Sequence, residues 1–180
     1  MKIISEIDKK NYVKIRENIK NFINRLSEKY DSKDTLIMDI APEIHMGTKE
    51  FFKHSTIKTL DIDPNSGADY ILDLCENNKD TIKDETFDLI VCTEVLEHVN
   101  DPFFVVSELR RMLKIGGVVA ISTPFNFRIH GPLPDNWRFT IYGLNVLFKD
   151  FEILTLESLD DSDRDLMPIQ YTLIAKKYGQ

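Results

Sequence analysis

Cysteine is scarce. The 180 residues hold two, Cys75 and Cys92, and neither belongs to a C-x-x-C pair. No Cys/His spacing suits a metal, so the sequence offers no metal site and no disulfide framework. Both thiols lie in or beside apolar runs and are expected to be buried and reduced. Long apolar runs are missing too: no segment approaches the ~20 residues a membrane span needs. The opening MKIISEIDKK has neither a long apolar stretch nor a cleavage pattern. These absences lead to the expectation of a soluble, cytoplasmic protein with no membrane partner. Basic charge is also in deficit, with 23 Lys and Arg against 30 Asp and Glu, a net charge of −7. An acidic chain repels phosphate backbones unless it carries a local basic patch. The densest cluster is only Arg110, Arg111 and Lys114, so nucleic acid is disfavoured as a partner. There is no internal repeat and no low-complexity segment.

What remains is ordinary for a globular chain: 42% apolar and 29% charged residues, at a length that suggests one domain. Residues 8–30 place Ile15, Ile19, Phe22, Ile23, Leu26 and Tyr30 at helical spacing. This N-terminal segment, 1–34, is expected to pack on a core formed by 35–180. The core begins with short apolar runs that end in acidic or small polar residues: 35–40, 57–63, 68–74, 87–93 and 117–123. Several are continuous Ile, Leu and Val runs, as in strands buried on both faces of a parallel sheet. A helix is expected over 102–114, with Asp101 as N-cap, Pro102 in the first turn and Gly116-Gly117 as its stop. A shorter helix is expected over 47–54. Residues 151–158 and 169–177 read as two strands with no helix between them, which predicts an antiparallel pair. The fold class is therefore α/β: a mostly parallel sheet closed by antiparallel C-terminal pairing, with helices on both faces.

In open parallel sheets ligands bind beyond the carboxyl ends of the strands. Acids stand at four such ends: Asp39, Asp61 with Asp63, Asp73 and Glu94. A rim of carboxylates suits a ligand rich in donors, such as ribose hydroxyls, an exocyclic amine or an α-ammonium. The same residues would also serve merely as caps or solvated loop ends.

The stretch 36–124 resembles the class I S-adenosylmethionine-dependent methyltransferases, of the Rossmann-like, type 11 kind. Its most specific part is FDLIVCTEVLEHVNDPFFVVSELRRMLKIGGVVAISTPF, 87–125, with an E-x-L-E-H segment and an L-K-x-G-G turn. The resemblance implies a seven-stranded Rossmann-like sheet with an antiparallel last strand and S-adenosylmethionine as cofactor. It implies that Asp61, followed by Ile62, binds the ribose. Asp73 and Leu74 would read the adenine, with Glu94 and His98 near the sulfonium and the substrate entrance. The family's first loop is usually of the type D-x-G-x-G-x-G, but here it reads DIAPEIHMG, 39–47. Ala41 takes a glycine position and Pro42 removes an amide donor. Either Glu43 receives the methionine ammonium instead, or cofactor binding is weak or lost and the chain is a non-catalytic scaffold. A nicotinamide enzyme is disfavoured by the missing G-x-G-x-x-G.

The segment 124–140, PFNFRIHGPLPDNWRFT, is rich in Pro, aromatic and basic residues. It resembles a stretch of polysaccharide- or sugar-modifying methyltransferases. His130 is the candidate general base for a hydroxyl acceptor. Arg128 and Arg138 would hold an anionic group on the acceptor, and Trp137 would stack on a sugar face. The plainer alternatives are that Trp137 and Phe139 anchor the loop, that Asp135 pairs with Arg138, and that His98 only fixes its turn. His45 and His54 are expected to be solvated, as is the acidic run 160–165. The expected partner is a small-molecule substrate such as a sugar-derived hydroxyl, and a homodimer is compatible with the chain.

Overall fold

The structure is a computed structural model, and it describes residues 4–42, 47–161 and 164–179. Helix α1 spans Glu6–Tyr30, and the Ser5 side chain accepts from the Asp8 amide at its start. Its stripe of Ile15, Ile19, Phe22, Ile23 and Leu26 is buried. The helix ends where Asp31 turns out, and the Asp31 carboxylate accepts from the amides of Lys53, His54 and Ser55. That clasp fixes the loop leading into the second strand.

Seven strands follow: β1 Leu36–Ile40, β2 Thr56–Asp61, β3 Tyr70–Ile71, β4 Phe87–Thr93, β5 Leu113–Pro124, β6 Glu152–Leu159 and β7 Gln170–Lys176. Their order across the sheet is β3-β2-β1-β4-β5-β7-β6. Only β7 runs against its neighbours, pairing antiparallel with both β5 and β6. Alternate residues feed two cores. Met38, Ile40, Ile90, Cys92, Val119 and Ile121 pack on the face that carries helices α2 (Pro102–Met112) and α3 (Ile141–Leu147). Ile37, Leu89, Val91, Val118 and Ala120 pack against α1 on the other face. This is the α/β architecture expected, with helices on both faces of a seven-stranded sheet.

Four local expectations need correction. The helix expected over 47–54 is only a 3₁₀ turn, Gly47–Glu50. Asp31 takes the amides that a longer helix would have used, and the chain turns into β2. The strand expected over 68–74 pairs only through Tyr70 and Ile71. The Asp73 carboxylate accepts from the Cys75 amide, and this local turn ends the strand. Helix α2 stops at Met112, not Lys114, and β5 begins at once because Leu113 pairs with Phe87. The glycines then shape the start of a strand: a Cβ on Gly117 would lie 2.9 Å from the Lys114 carbonyl oxygen. Helix α3 is an addition to the expected elements. Thr140 caps it by accepting from the Gly143 amide, and Leu144 and Leu147 are buried. Of the two free cysteines, Cys92 is buried and Cys75 only half-buried.

Candidate active site at the carboxyl edge of the sheet

Strand order reverses between β1 and β4, and a crevice at such a switch point is where α/β sheets bind ligands. In register, Ile40 stands beside Leu60 on one side and Cys92 on the other, so β1, β2 and β4 end at one rim. The acids read from the sequence divide there by environment. Asp39 points inward and is buried. Its Oδ2 accepts from the Thr48 amide at 2.9 Å and the Thr48 hydroxyl at 2.7 Å. Burial pushes its carboxyl up to about 6 against the pull of those two bonds. Asp39 is thus a strut beneath the first loop. Asp61 and Asp73 are half-buried, and each spends one oxygen on a local turn, to the amides of Asp63 and Cys75. Among the described residues the second oxygen of each has no partner, which leaves it for other donors. Ile62 is 65% exposed, whereas Leu74 belongs to the core.

The first loop keeps a glycine-like course without the glycine. Ala41 holds φ at +48°, and its amide donates to the Leu60 carbonyl at 2.7 Å. Gly47 holds φ at +51°, and a Cβ there would sit 2.5 Å from Asp39 Oδ2. Glu43 and His45 lie outside the described residues. Glu94 also takes a left-handed φ, +55°. Its Oε1 accepts from Ser122 Oγ and Gln170 Nε2, both at 2.8 Å, while burial raises its carboxyl above the usual range. Gln170 in turn accepts from Asn18 of α1 at 2.7 Å. The N-terminal helix is thereby wired to the rim.

Across the rim, the loop after β5 folds back onto the turn after β4. The amides of Asn136 and Trp137 donate to the Glu97 carbonyl at 2.6 and 3.1 Å, and Trp137 Nε1 donates to the Val99 carbonyl at 2.9 Å. Arg138 forks onto both oxygens of Asp135 and also donates to the carbonyl of Arg128. Desolvation pushes Asp135 upward, but the Arg138 fork and the His130 amide outweigh it and bring the carboxyl down to about 2. Arg138 is therefore a loop strut, held by the pairing with Asp135 weighed above as the plainer alternative. Trp137 stacks on Phe139 and remains 40% exposed. Together with Pro102, Phe103, Tyr142 and Val146 they line an apolar groove of about 370 Å³. Arg128 is half-buried on the same loop. The basic trio is spent elsewhere: Arg111 pairs with Glu108 and Asp84, Lys114 with Asp88, and Arg110 donates to the Asp150 carbonyl.

The fold-back places His130 against His98, with ring centroids 5.0 Å apart, and both against Glu97. Sequence reasoning found the two histidines but passed over Glu97 and found no metal-ligand spacing. The three residues offer ligand atoms within 4.8 Å of one another. Glu97 is fully buried, and beyond its own amide neither of its carboxylate oxygens has a hydrogen-bond partner among the described residues. Burial and the nearby Glu94 charge raise its carboxyl well above the usual range. Desolvation lowers His130, against the opposing charge of Asp135. Among the described residues no helix is long and apolar enough to cross a membrane.

Comparison with known proteins gives the same outline. A model described as a methyltransferase domain matches residues 23–121. A ubiquinone biosynthesis O-methyltransferase of Histophilus somni is 49% identical over 87 residues, covering 48% of this chain and 32% of that protein. Its counterpart in Aliivibrio fischeri is 40% identical over 65 residues, and the match spans 25% of that protein. The chain thus spans only about a quarter to a third of the curated relatives it matches. The N-methyltransferase NodS of Bradyrhizobium japonicum, solved with S-adenosyl-L-homocysteine, superposes with a TM-score of 0.66 at 14% identity. That alignment covers 90% of this chain and 86% of NodS, and at such identity it is a likeness of fold. With the strand order, the rim of acids and a family match over more than half its length, this chain belongs to the methyltransferase domain family.

Proposed function

We propose that the chain binds S-adenosylmethionine at the β1–β4 switch point and transfers its methyl group to a hydroxyl of a small-molecule acceptor. The observation that carries the reading is the rim itself. Asp61 and Asp73 close neighbouring strands, half-buried, each with one oxygen still available for a ribose hydroxyl or an adenine amine. Ala41 supports it, because its left-handed φ preserves the turn a glycine would make. Transfer from a sulfonium is a direct displacement, so the protein's task is to align the oxygen, the methyl carbon and the departing sulfur. The oxygen gains the methyl and releases its proton, and the carbon–sulfur electron pair stays on sulfur. Glu97, His98 and His130 stand on the acceptor side and serve the hydroxyl.

For the acceptor we favour a sugar or sugar-derived hydroxyl lying along Trp137, with Arg128 near any anionic group. The apolar groove of Phe103, Trp137, Phe139 and Tyr142 favours a second reading, a phenolic hydroxyl on an apolar molecule. That reading also agrees with relatives named for ubiquinone biosynthesis.

Calorimetric titration with S-adenosylmethionine tests the core of the proposal. Micromolar binding that weakens at least ~30-fold in Asp61→Ala is expected, from a lost charge-assisted pair of hydrogen bonds. An absence of heat at millimolar cofactor refutes it and leaves a scaffold with a methyltransferase fold. Methyl transfer to a panel of nucleotide sugars, sugar acids and phenols separates the two acceptor classes.

A further inference from the structure

We propose that Glu97, His98 and His130 form a binding site for one first-row divalent cation, held at the acceptor side of the crevice. The site is defined by which atoms face one another. His98 Nδ1 lies 2.8 Å from the Pro134 carbonyl oxygen, which can only accept. Nδ1 therefore carries the proton and Nε2 presents a lone pair. His130 Nδ1 lies 3.1 Å from Asp135 Oδ2, out of line for a hydrogen bond but beside a carboxylate that Arg138 grips by both oxygens. Attraction to that charge favours the proton on Nδ1 there too. Both Nε2 atoms then turn lone pairs toward Glu97 Oε1, at 3.7 and 3.8 Å.

Three acceptors thus converge with no donor among them. A proton on Glu97 does not resolve this, because an O–H···N bond needs roughly 2.6–3.0 Å. A buried carboxylate bonded to nothing beyond its own amide costs several kcal/mol unless a positive charge is nearby. Of the two arginines on this loop, Arg138 is already forked onto Asp135, and among the described residues no ion pair joins Arg128 to Glu97. A metal ion does fit. With pair separations of 3.7 and 3.8 Å and a third no longer than 4.8 Å, one point lies about 2.1–2.4 Å from all three atoms, near the length of first-row metal–nitrogen and metal–oxygen bonds.

Two imidazoles and one carboxylate suit zinc, cobalt, iron or manganese, and leave positions open for outside ligands. The surroundings also match a metal site. Ligating histidines normally turn their other nitrogen to a carbonyl or carboxylate: His98 Nδ1 is placed to donate to the Pro134 carbonyl, and His130 Nδ1 lies 3.1 Å from Asp135 Oδ2, which it would reach by a small turn of the ring. Glu94 is outside the converging group, and its Oε1 is committed to Ser122 and Gln170. The role of the ion rests on the methyl-transfer reading above. An acceptor hydroxyl in an open position would lose its proton to solvent more readily, and its oxygen would attack the methyl carbon.

The test uses the full chain, stripped with a chelator and dialysed, then titrated with Zn²⁺ or Co²⁺ alone. Expected are one ion per chain, a Kd of ~10 μM or tighter, and visible Co²⁺ absorption bands. Glu97→Gln keeps the shape and should weaken binding at least ~100-fold. Asp135→Asn, acting through His130, should weaken it by ~10-fold or more. Circular dichroism on each variant confirms the fold, and His130→Asn replaces Glu97→Gln if the latter does not fold. No saturable binding below 1 mM, or wild-type affinity in folded Glu97→Gln and His130→Asn, overturns the site. Parallel titration with S-adenosylmethionine keeps the two proposals apart. Cofactor binding without metal binding sinks the cation site alone. Metal binding without cofactor binding upholds the site and sinks the methyl-transfer reading.

Discussion

Asp39 allows a quantitative test of how the floor of the crevice is built. Its carboxyl is pushed from an ordinary 3.8 up to about 6, chiefly by burial. A group whose folded pKa lies above its unfolded pKa stabilises the fold fully below the unfolded value. That contribution is lost as the pH rises through the folded value. The whole shift is worth about 3 kcal/mol, since each tenfold change in proton affinity is worth ~1.4 kcal/mol, and because pH 4 already lies above the unfolded value, ionising Asp39 between pH 4 and pH 7 should cost the fold about 2 kcal/mol of it. Asp39→Asn removes the charge. Both bonds from Thr48 fall on a single oxygen, Oδ2, and an amide oxygen can accept them as well. Urea unfolding of both proteins, at low concentration because the sequence pI is about 5.1, gives the free energy at each pH. The stability of the Asn variant relative to wild type should grow by ~2 kcal/mol from pH 4 to pH 7, since titrations elsewhere cancel in the difference. A difference flat to within ~0.5 kcal/mol over that range would show Asp39 to be ionised at an ordinary pKa. The picture of a desolvated strut would then be wrong.

Neighbouring positions give sharper mutational outcomes. Gly47→Ala places a Cβ 2.5 Å from Asp39 Oδ2 and 2.9 Å from Pro42 Cβ, at a φ of +51°. It should destabilise by about 2–4 kcal/mol in thermal or urea unfolding, from left-handed strain plus displaced loop atoms. Ala41→Gly should leave stability within ~1 kcal/mol, because relief of the left-handed φ offsets the added unfolded-state entropy. Its affinity for S-adenosylmethionine, by calorimetry, should hold or improve. Arg138→Lys keeps the charge but loses the fork on Asp135 and reaches fewer carbonyls. It should cost about 2 kcal/mol in urea unfolding, and trypsin should cut the 126–138 loop faster.

What the sequence made legible was whatever is decided locally. Strand β4 matches its expected bounds, 87–93, because its continuous apolar run is buried on both faces of the sheet. The start of α2 is readable from Asp101 and Pro102, which act only on their own turn. The failures share a different cause. The 3₁₀ turn at Gly47–Glu50 is short because Asp31, at the far end of α1, captures the next amides. Helix α2 gives way to β5 at Leu113 because Phe87 offers a strand partner. In both places a distant partner outbids local propensity, and spacing along one chain cannot show it. Helix α3 is the exception: Thr140 before Leu144 and Leu147 is a readable cap and apolar stripe, hidden by the loop that precedes it.

The same division explains why one half of the site was easier to find than the other. The rim acids stand at or just past strand ends, so the strand pattern locates them, and all of them lie within the span shared with the family. Glu97 lies in that span too, between two marked neighbours, yet its position has no local meaning. It becomes unusual only because residues 130–138, beyond the matched span, fold back and deliver His130 and Asp135 to it. Asn18 and Gln170, which tie α1 and β7 to Glu94, lie outside the span as well. The shared core of such a fold can thus carry one ligand's geometry through many relatives, while the acceptor side is assembled from segments free to differ. For this chain, recognition of the acceptor should therefore be sought at Arg128, His130 and Trp137, and changed there without loss of the fold.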